Sequence, residues 1–218
     1  MNIAYLTRRL LKVSDLKVSA FKKPFPHLIF SNFYDEQELE LIWEELNFYT
    51  KPNKLLSAED FGGIPDRTNS HGIDLDTLYT KRSISNILTV NRKLFRPDIL
   101  SQFSDLDDCC SIAIQCNYDV TRVRYYHDKE FYKPHTDYFY QFLGFSYFHK
   151  EPKKFSGGEL YFPKYDYEYS CDNNSMIVFP AWVEHGVREV SIDNSDYYDG
   201  YGRYAVTSFF GVQPKQLN

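Results

Sequence analysis

From Ser111 to Val212 the chain runs through short apolar or aromatic stretches, SIAIQC, TRVRYY, YFYQFLGFSYF, GELYFP, SMIVFP, HGVREVSI and RYAVTSFFGV, divided by turn residues and without helical segments between them. Parallel strands need crossover helices, and there is no room for them here, so the pattern predicts an antiparallel sandwich or jelly roll. The composition agrees. Aromatic residues make up 18% of the chain, with 19 Tyr and 18 Phe, and these rings favour half-buried pleated surfaces.

The first half reads differently. PFPHLIFSNF predicts a lead-in strand, and Asp35 with Glu38 forms a capping-box pattern ahead of Leu39, Ile42, Trp43 and Leu46, one buried face of a helix. Residues 51–73 carry Gly, Pro, Asn and Ser without a period and predict a long covering loop. Between Asp76 and Phe95, the positions of Ile84, Ile87, Leu88 and Leu94 predict a second helix that Pro97 ends. The basic start, MNIAYLTRRLLKVSDLKVSAF, has no continuous apolar run, so a strand or helix packed on the core is expected rather than a signal peptide or membrane span. The 218 residues suit one domain, with a helical lead-in over about 1–110 and a β core over about 111–213.

Charge and cysteine narrow the function. A net charge of -5 with pI near 5.7 gives no overall basic field for nucleic acid or an anionic membrane. Cys109, Cys110, Cys116 and Cys171 have no CxxC spacing, which predicts reduced thiols and a cytoplasmic protein. Oligomeric state is not legible in the sequence.

The stretch FYKPHTDY holds His135 and Asp137, two apart and therefore on one side of a strand. The spacing alone decides nothing in a chain of this composition, and a histidine at the core edge capped by Asp137 is the plainer reading. His185, after MIVFPAWVE, is the natural third partner from another strand. Two His and one carboxylate on one side of an ion leave three adjacent positions open, which suits non-haem Fe(II), whereas structural zinc fills four positions and favours Cys. A chelating keto acid would supply electrons to such a site, and its far carboxylate would need a buried cation. Arg203 shares a strand face with Ala205 and Thr207, and small Ala205 leaves room beside the guanidinium. Tyr126 and Tyr147 are phenols on neighbouring runs that can bond the same carboxylate, and Arg122, Arg124 and Arg188 are the other cations to consider. Against this stands a surface Arg203 paired with Asp196 or Asp199. His127 and His149 read as structural or substrate-side.

The ordered set YYHDKEFYKPHTDY, FSYFHKEPKKFSGGELYFP, SMIVFPAWVEHGVREV and GYGRYAVTSFFG resembles the 2-oxoglutarate and Fe(II)-dependent oxygenases, specifically their prolyl-hydroxylase-like branch. PFPHLIFSNFYDEQELELI resembles the family's lead-in strand and helix. The resemblance implies a mainly β fold with N-terminal helices, a double-stranded β-helix of the jelly-roll or cupin-like kind. It implies Fe(II) on His135, Asp137 and His185, with 2-oxoglutarate and O2 as co-substrates and ascorbate as accessory reductant. Arg203 then takes the distal carboxylate of 2-oxoglutarate, with Tyr147 and Tyr126 beside it. Retention of the carboxylate Asp137 favours hydroxylation over halogenation. The branch implies a prolyl residue of a protein or peptide as substrate; a free amino acid or other small molecule is the alternative, and a catalytically silent binding barrel a third. Two departures are visible: SIDNSDYYDGYG lengthens the interval before Arg203, and Ala205 stands where the family often has serine. Residues 51–73 and 191–202 are expected to frame the substrate entrance.

Overall fold

A computed structural model describes residues 16–60, 63–64 and 66–213. Its lead-in comprises β1 (Lys17–Phe21), β2 (His27–Ser31), α1 (Glu36–Tyr49), β3 (His71–Asp74), α2 (Leu75–Leu78), α3 (Asn86–Asn91) and α4 (Pro97–Ser104). The remainder comprises β4 (Tyr118–Tyr126), β5 (Tyr132–His135), β6 (Phe142–Phe148), β7 (Phe155–Gly157), β8 (Leu160–Phe162), β9 (Tyr167–Tyr169), β10 (Ser175–Pro180), β11 (His185–Val187), β12 (Val190–Ile192), α5 (Asn194–Tyr198) and β13 (Arg203–Gly211).

One large sheet has the order β1-β2-β10-β6-β13-β4-β3, a smaller one the order β5-β11-β8-β9, and β12 pairs with β7. Rings lock the two main sheets face to face. Phe145 and Phe179, on β6 and β10 of the large sheet, lie 5.5 and 5.3 Å from the His185 ring on β11, and Phe162 on β8 meets Phe179 edge-on at 5.1 Å. The result is the expected mainly β jelly roll.

Period-two alternation on β13 sorts its side chains between two environments. Arg203, Ala205, Thr207 and Phe209 point into a cleft between the sheets. Tyr204, Ser208 and Phe210 point to the helical side: Tyr204 meets Trp43 of α1, Phe210 meets Phe95, and Ser208 accepts a hydrogen bond from Asn91 of α3. Asn91 also accepts from Tyr34, whose hydroxyl lies 3.1 Å from Ser146 of β6. A buried polar network thus fixes the helical layer on the back of the sheet.

The capping box forms as read: Glu38 N–H donates to Asp35 Oδ1 and Asp35 N–H to Glu38 Oε2, both at 2.9 Å. Ile42 and Leu46 are buried, as that helical face requires. Four expectations need correction. SIAIQC is not a strand but part of a 3₁₀ helix, Asp108–Gln115, because Asp107 caps its start and the small residues Cys110 and Ala113, three apart, make the buried face. The single helix over 76–95 is broken into α2, a 3₁₀ turn, α3 and a second 3₁₀ turn, since Asp74 and Ser85 each cap a new start; Ile84 consequently faces solvent. Pro97 also opens α4, where its missing N–H is no loss. The end of the 51–73 stretch is β3, an edge strand of the large sheet. The basic N-terminal stretch lies outside the described residues except for its last part, which forms β1. No helix among the described residues is long and apolar enough to cross a membrane.

Buried Glu45 ties α1 to α3: it accepts from Ser85 Oγ, from the Ile87 N–H at 2.9 Å and from the Tyr49 hydroxyl at 3.0 Å. Replacing it strands those donors. Glu45→Ala is expected to destabilise the protein by about 3 kcal/mol in urea unfolding; a loss below about 1 kcal/mol would show that the helical layer does not depend on this carboxylate.

Candidate active site

Antiparallel pairing of β5 with β11 sets His135 directly opposite His185. Asp137 follows β5 and is held by its N–H, which donates to the Ala181 carbonyl at 3.1 Å. Its Oδ2 then lies 3.8 Å from His135 Nε2 and 3.6 Å from His185 Nε2. One ligand atom from each residue falls within 4.8 Å of the others.

Both imidazoles are oriented in the same way. Nδ1 of His135 is 3.0 Å from the Lys133 carbonyl and Nδ1 of His185 is 3.0 Å from that of Val183. A carbonyl can only accept, so both Nδ1 atoms carry the proton and both Nε2 lone pairs point to Asp137. Tyr132 stacks on the His135 ring at 3.9 Å. Burial, then the neighbouring His135, pushes the His185 pKa down to about 3. Burial likewise lowers that of His135 and raises that of Asp137. The imidazoles are therefore neutral donors at physiological pH.

These residues fit a metal cation: Asp137 Oδ2 is buried without a hydrogen-bond partner, and two neutral nitrogens with one carboxylate suit Fe(II). The same cleft contains Arg203, which is 1% exposed. Its Nε and Nη1 have no hydrogen-bond partner, and Nη2 is 3.7 Å from Cys171 Sγ. It does not pair with Asp196, which instead accepts from Lys154, and so the surface reading is set aside. The guanidinium stands 4.6 Å from the Tyr126 ring and 5.0 Å from the Tyr147 ring. The Tyr147 hydroxyl is buried without a partner, and burial holds its pKa well above the ordinary value, so it remains a donor. A carboxylate satisfies these orphaned donors together.

Two glycines shape the turn beside Arg203, and Gly158 makes the space for its side chain. Gly157 and Gly158 have φ of 72° and 78°, a region where side chains are strained. A Cβ on Gly157 would sit 1.9 Å from the Glu189 carbonyl oxygen, and one on Gly158 would sit 2.5 Å from Arg203 Cδ. The SGG of FSGGEL thus works as both turn and arginine slot.

Arg122 and Arg124 line the cleft as well, whereas Arg188 is outside it, bonded to Glu168. His127 lies 2.9 Å from Asn194 through its Nε2, and His149 sits edge-on to Phe155; neither joins the triad. Of the stretches expected to frame the entrance, the first meets the wall of the cleft at its end, where Ser70 accepts from Arg124 and Thr68 bridges to Tyr132. Residues from 49–60 and Tyr197–Tyr198 line a second cavity, and no residue of 51–73 or 191–202 lines the triad cleft among the described residues. The reason is alternation: Tyr197 stacks at 4.3 Å on Tyr125, an outward residue of β4, and its carbonyl accepts from that phenol. Sequence reasoning missed Tyr132 and Cys171. Tyr132 lies three residues before His135, a spacing that gives no same-face signal on a regular strand, and a lone buried cysteine gives none at all.

Residues 121–211 match the family model described as the 2OG-Fe(II) oxygenase superfamily. Over this segment the chain is similar to members of that superfamily, which use Fe(II), 2-oxoglutarate and O2. Comparison with proteins of established function finds no sequence relative. A prolyl-4-hydroxylase from Pseudomonas putida superposes with a TM-score of 0.57 at 12% identity, covering 86% of this chain and 93% of that one. The viral collagen prolyl hydroxylase of Paramecium Bursaria Chlorella virus-1, solved as its 2OG complex, gives 0.55 at 13%, covering 86% and 96%. A non-heme alpha ketoglutarate dependent epimerase from nogalamycin biosynthesis gives 0.54 at 11%, covering 85% and 78%. At these identities the likeness is one of fold.

Gly158→Ala is expected to displace Arg203 and weaken 2-oxoglutarate by about tenfold or more in calorimetry, with Mn(II) binding retained. Unchanged 2-oxoglutarate affinity would disconnect the glycine slot from the co-substrate.

Proposed function

We propose that the protein is a 2-oxoglutarate- and Fe(II)-dependent dioxygenase that hydroxylates an unactivated C–H bond, with a prolyl residue of a protein or peptide as substrate. The observation that carries this reading is the presence, in one cleft, of the His135–Asp137–His185 triad and the buried guanidinium of Arg203 with two unsatisfied nitrogens. In this reading the triad holds Fe(II). Arg203 pairs with the distal carboxylate of 2-oxoglutarate, Tyr147 donates to the same group, and Tyr126 walls its side. The chemistry that Fe(II) would supply there is the coupling of O2 reduction to the oxidative decarboxylation of 2-oxoglutarate, by which substrate C–H, 2-oxoglutarate and O2 would become substrate C–OH, succinate and CO2. Asp137 as third ligand favours hydroxylation over halogenation.

The prolyl assignment draws support from the two prolyl hydroxylases among the structural neighbours. A free amino acid or other small molecule is the second reading, favoured by the additional arginines in the cleft. We further take the lead-in and barrel as one catalytic domain, because α1 and α3 cover the back of the sheet that holds Arg203. The four free cysteines support a reducing, cytoplasmic setting, and ascorbate is the reductant of choice for assay.

The test is succinate formation with Fe(II), ascorbate and 2-oxoglutarate, together with mass spectrometry of peptide and metabolite panels for the gain of one oxygen atom. His135→Ala and Asp137→Ala are each expected to abolish iron-dependent succinate formation with little change in far-UV circular dichroism. Near-normal turnover in either would remove the triad from the mechanism. Arg203→Ala should leave iron binding intact and weaken 2-oxoglutarate by about 30- to 1000-fold; unaltered affinity would assign the carboxylate to another cation.

A further inference from the structure

β4 projects Arg122, Arg124 and Tyr126 into the cleft, each two residues from the next and therefore on one face. The register across to β13 sets Tyr126 opposite Arg203, Arg124 opposite Ala205 and Arg122 opposite Thr207. The deepest rung carries the arginine assigned to 2-oxoglutarate. The next two each carry an arginine across from Ala205 and Thr207.

Contacts hold these two side chains in the cleft. Arg124 is buried, donates to Ser70 Oγ at 2.6 Å and stands 5.0 Å over the Tyr132 ring, which is the ring stacked on His135. Arg122 is more exposed, donates to Asp74 Oδ2 at 3.3 Å and lies 4.8 Å over Phe209. Both are close enough for their positive charges to oppose the rise in the Asp137 pKa.

Charge shows what they are for. Among the described residues that line the cleft, Asp137 is the only carboxylate, in a chain whose net charge is -5. The formal charges of Fe(II), 2-oxoglutarate, Asp137 and Arg203 sum to zero. With that complement in place, Arg122 and Arg124 leave the lining positive, offset in part by Asp74 beside Arg122. Reach separates Arg122 from the co-substrate: its position stands roughly 13 Å along β4 from the rung of Arg203, beyond a five-carbon acid that is already paired at one end and chelated at the other.

We propose that Arg122 and Arg124 bind a carboxylate of the primary substrate, placing it beside the C–H bond that is oxidised. The substrate class is then an amino acid, a peptide terminus or an acidic peptide, not an uncharged chain. This inference rests on the oxygenase reading above and narrows its substrate. A guanidinium pair can take either an α-carboxylate or the side-chain carboxylate of a neighbouring residue, and the test separates these sources.

The protein is loaded with Mn(II) and 2-oxoglutarate under anaerobic conditions and titrated calorimetrically with two probe pairs. One pair is L-proline and L-prolinamide; the other is N-acetyl-Asp-Pro-amide and N-acetyl-Asn-Pro-amide. The acid member of at least one pair is expected to bind about tenfold or more tightly than its neutral partner, and the pair that shows this identifies the source. Arg122→Gln and Arg124→Gln should each reduce the preference to about twofold or less, with 2-oxoglutarate affinity within about threefold of the parent. Arg122 is the more exposed of the two, so its variant tests the idea even if Arg124→Gln unfolds; Arg124→Lys should keep part of the preference. Equal affinity within both pairs, absence of binding by all four probes, or a preference that survives both Gln substitutions would overturn the proposal. A tenfold loss of 2-oxoglutarate affinity in Arg122→Gln or Arg124→Gln would also overturn it by assigning that arginine to the co-substrate. The titration requires no turnover, so it fails separately from the oxygenase reading, which fails on succinate formation.

Discussion

The pairing of β13 between β4 and β6 is the constraint from which the site follows. Its side chains have a period of two, so a fixed register forces every odd-numbered residue from Arg203 to Phe209 inward and every even-numbered one against the helical layer. A slip of one residue would bury Tyr204 in the cleft and turn Arg203 toward Trp43. The polar network through Asn91, Ser208, Tyr34 and Ser146 opposes that slip from behind, because each partner is matched to a particular outward position. The aromatic packing of Phe145 and Phe179 on His185 then sets the distance between the sheets, and with it the position of the triad opposite Arg203.

The barrel was legible because its signals are periodic and local. Strand alternation predicted that Arg203, Ala205 and Thr207 share a face, and HTD at a strand end predicted two side chains on one side of β5. The capping box at Asp35 and Glu38 is likewise a matter of adjacent hydrogen bonds. What was not legible depends on tertiary contacts or on competing local caps. SIAIQC has strand-like residues, but burial of Cys110 and Ala113 at 3₁₀ spacing prevails over their β propensity. The helix over 76–95 has a sound apolar pattern, yet Ser85 accepts the Leu88 N–H and starts a new helix in its middle. The segment 191–202 is expected at the substrate entrance, whereas Tyr197 anchors it by stacking on Tyr125, helped by the contacts of Asn194 with His127 and of Asp196 with Lys154. No one-dimensional pattern marks those contacts.

The site itself runs against the rules that shape the rest of the core. Buried polar groups are ordinarily paired, and each one left unpaired costs about 1–3 kcal/mol. Here Asp137 Oδ2, the Tyr147 hydroxyl and two nitrogens of Arg203 are buried without hydrogen bonds. The surrounding aromatic barrel offsets that loss, and the outcome is preorganisation: the donors already point to where a cation and a carboxylate fit, so little reorganisation opposes binding. Gly157 and Gly158 belong to the same arrangement, since their left-handed backbone allows the β7–β8 turn to lie against Arg203 without displacing it.

In the reading proposed above, depth in the cleft gives the three arginines different work. Arg203 is almost fully excluded from solvent, where a guanidinium–carboxylate pair is strong and leaving it unpaired is costly, which suits a co-substrate common to every turnover. Arg124 is buried but supported by Ser70 and by the Tyr132 ring, so its charge is held in place before any partner arrives. Arg122, nearer to solvent and beside Asp74, has its charge screened and shared, which suits initial capture of an anion rather than its final positioning. A carboxylate passing from Arg122 to Arg124 moves one strand rung toward Arg203, roughly 7 Å. Because Tyr132 lies between Arg124 and the His135 ring, the atoms that follow the carboxylate are brought beside that histidine. The same alternation that makes β4 a barrel strand therefore sets its arginines in succession on the cleft face, leading toward the rung of Arg203.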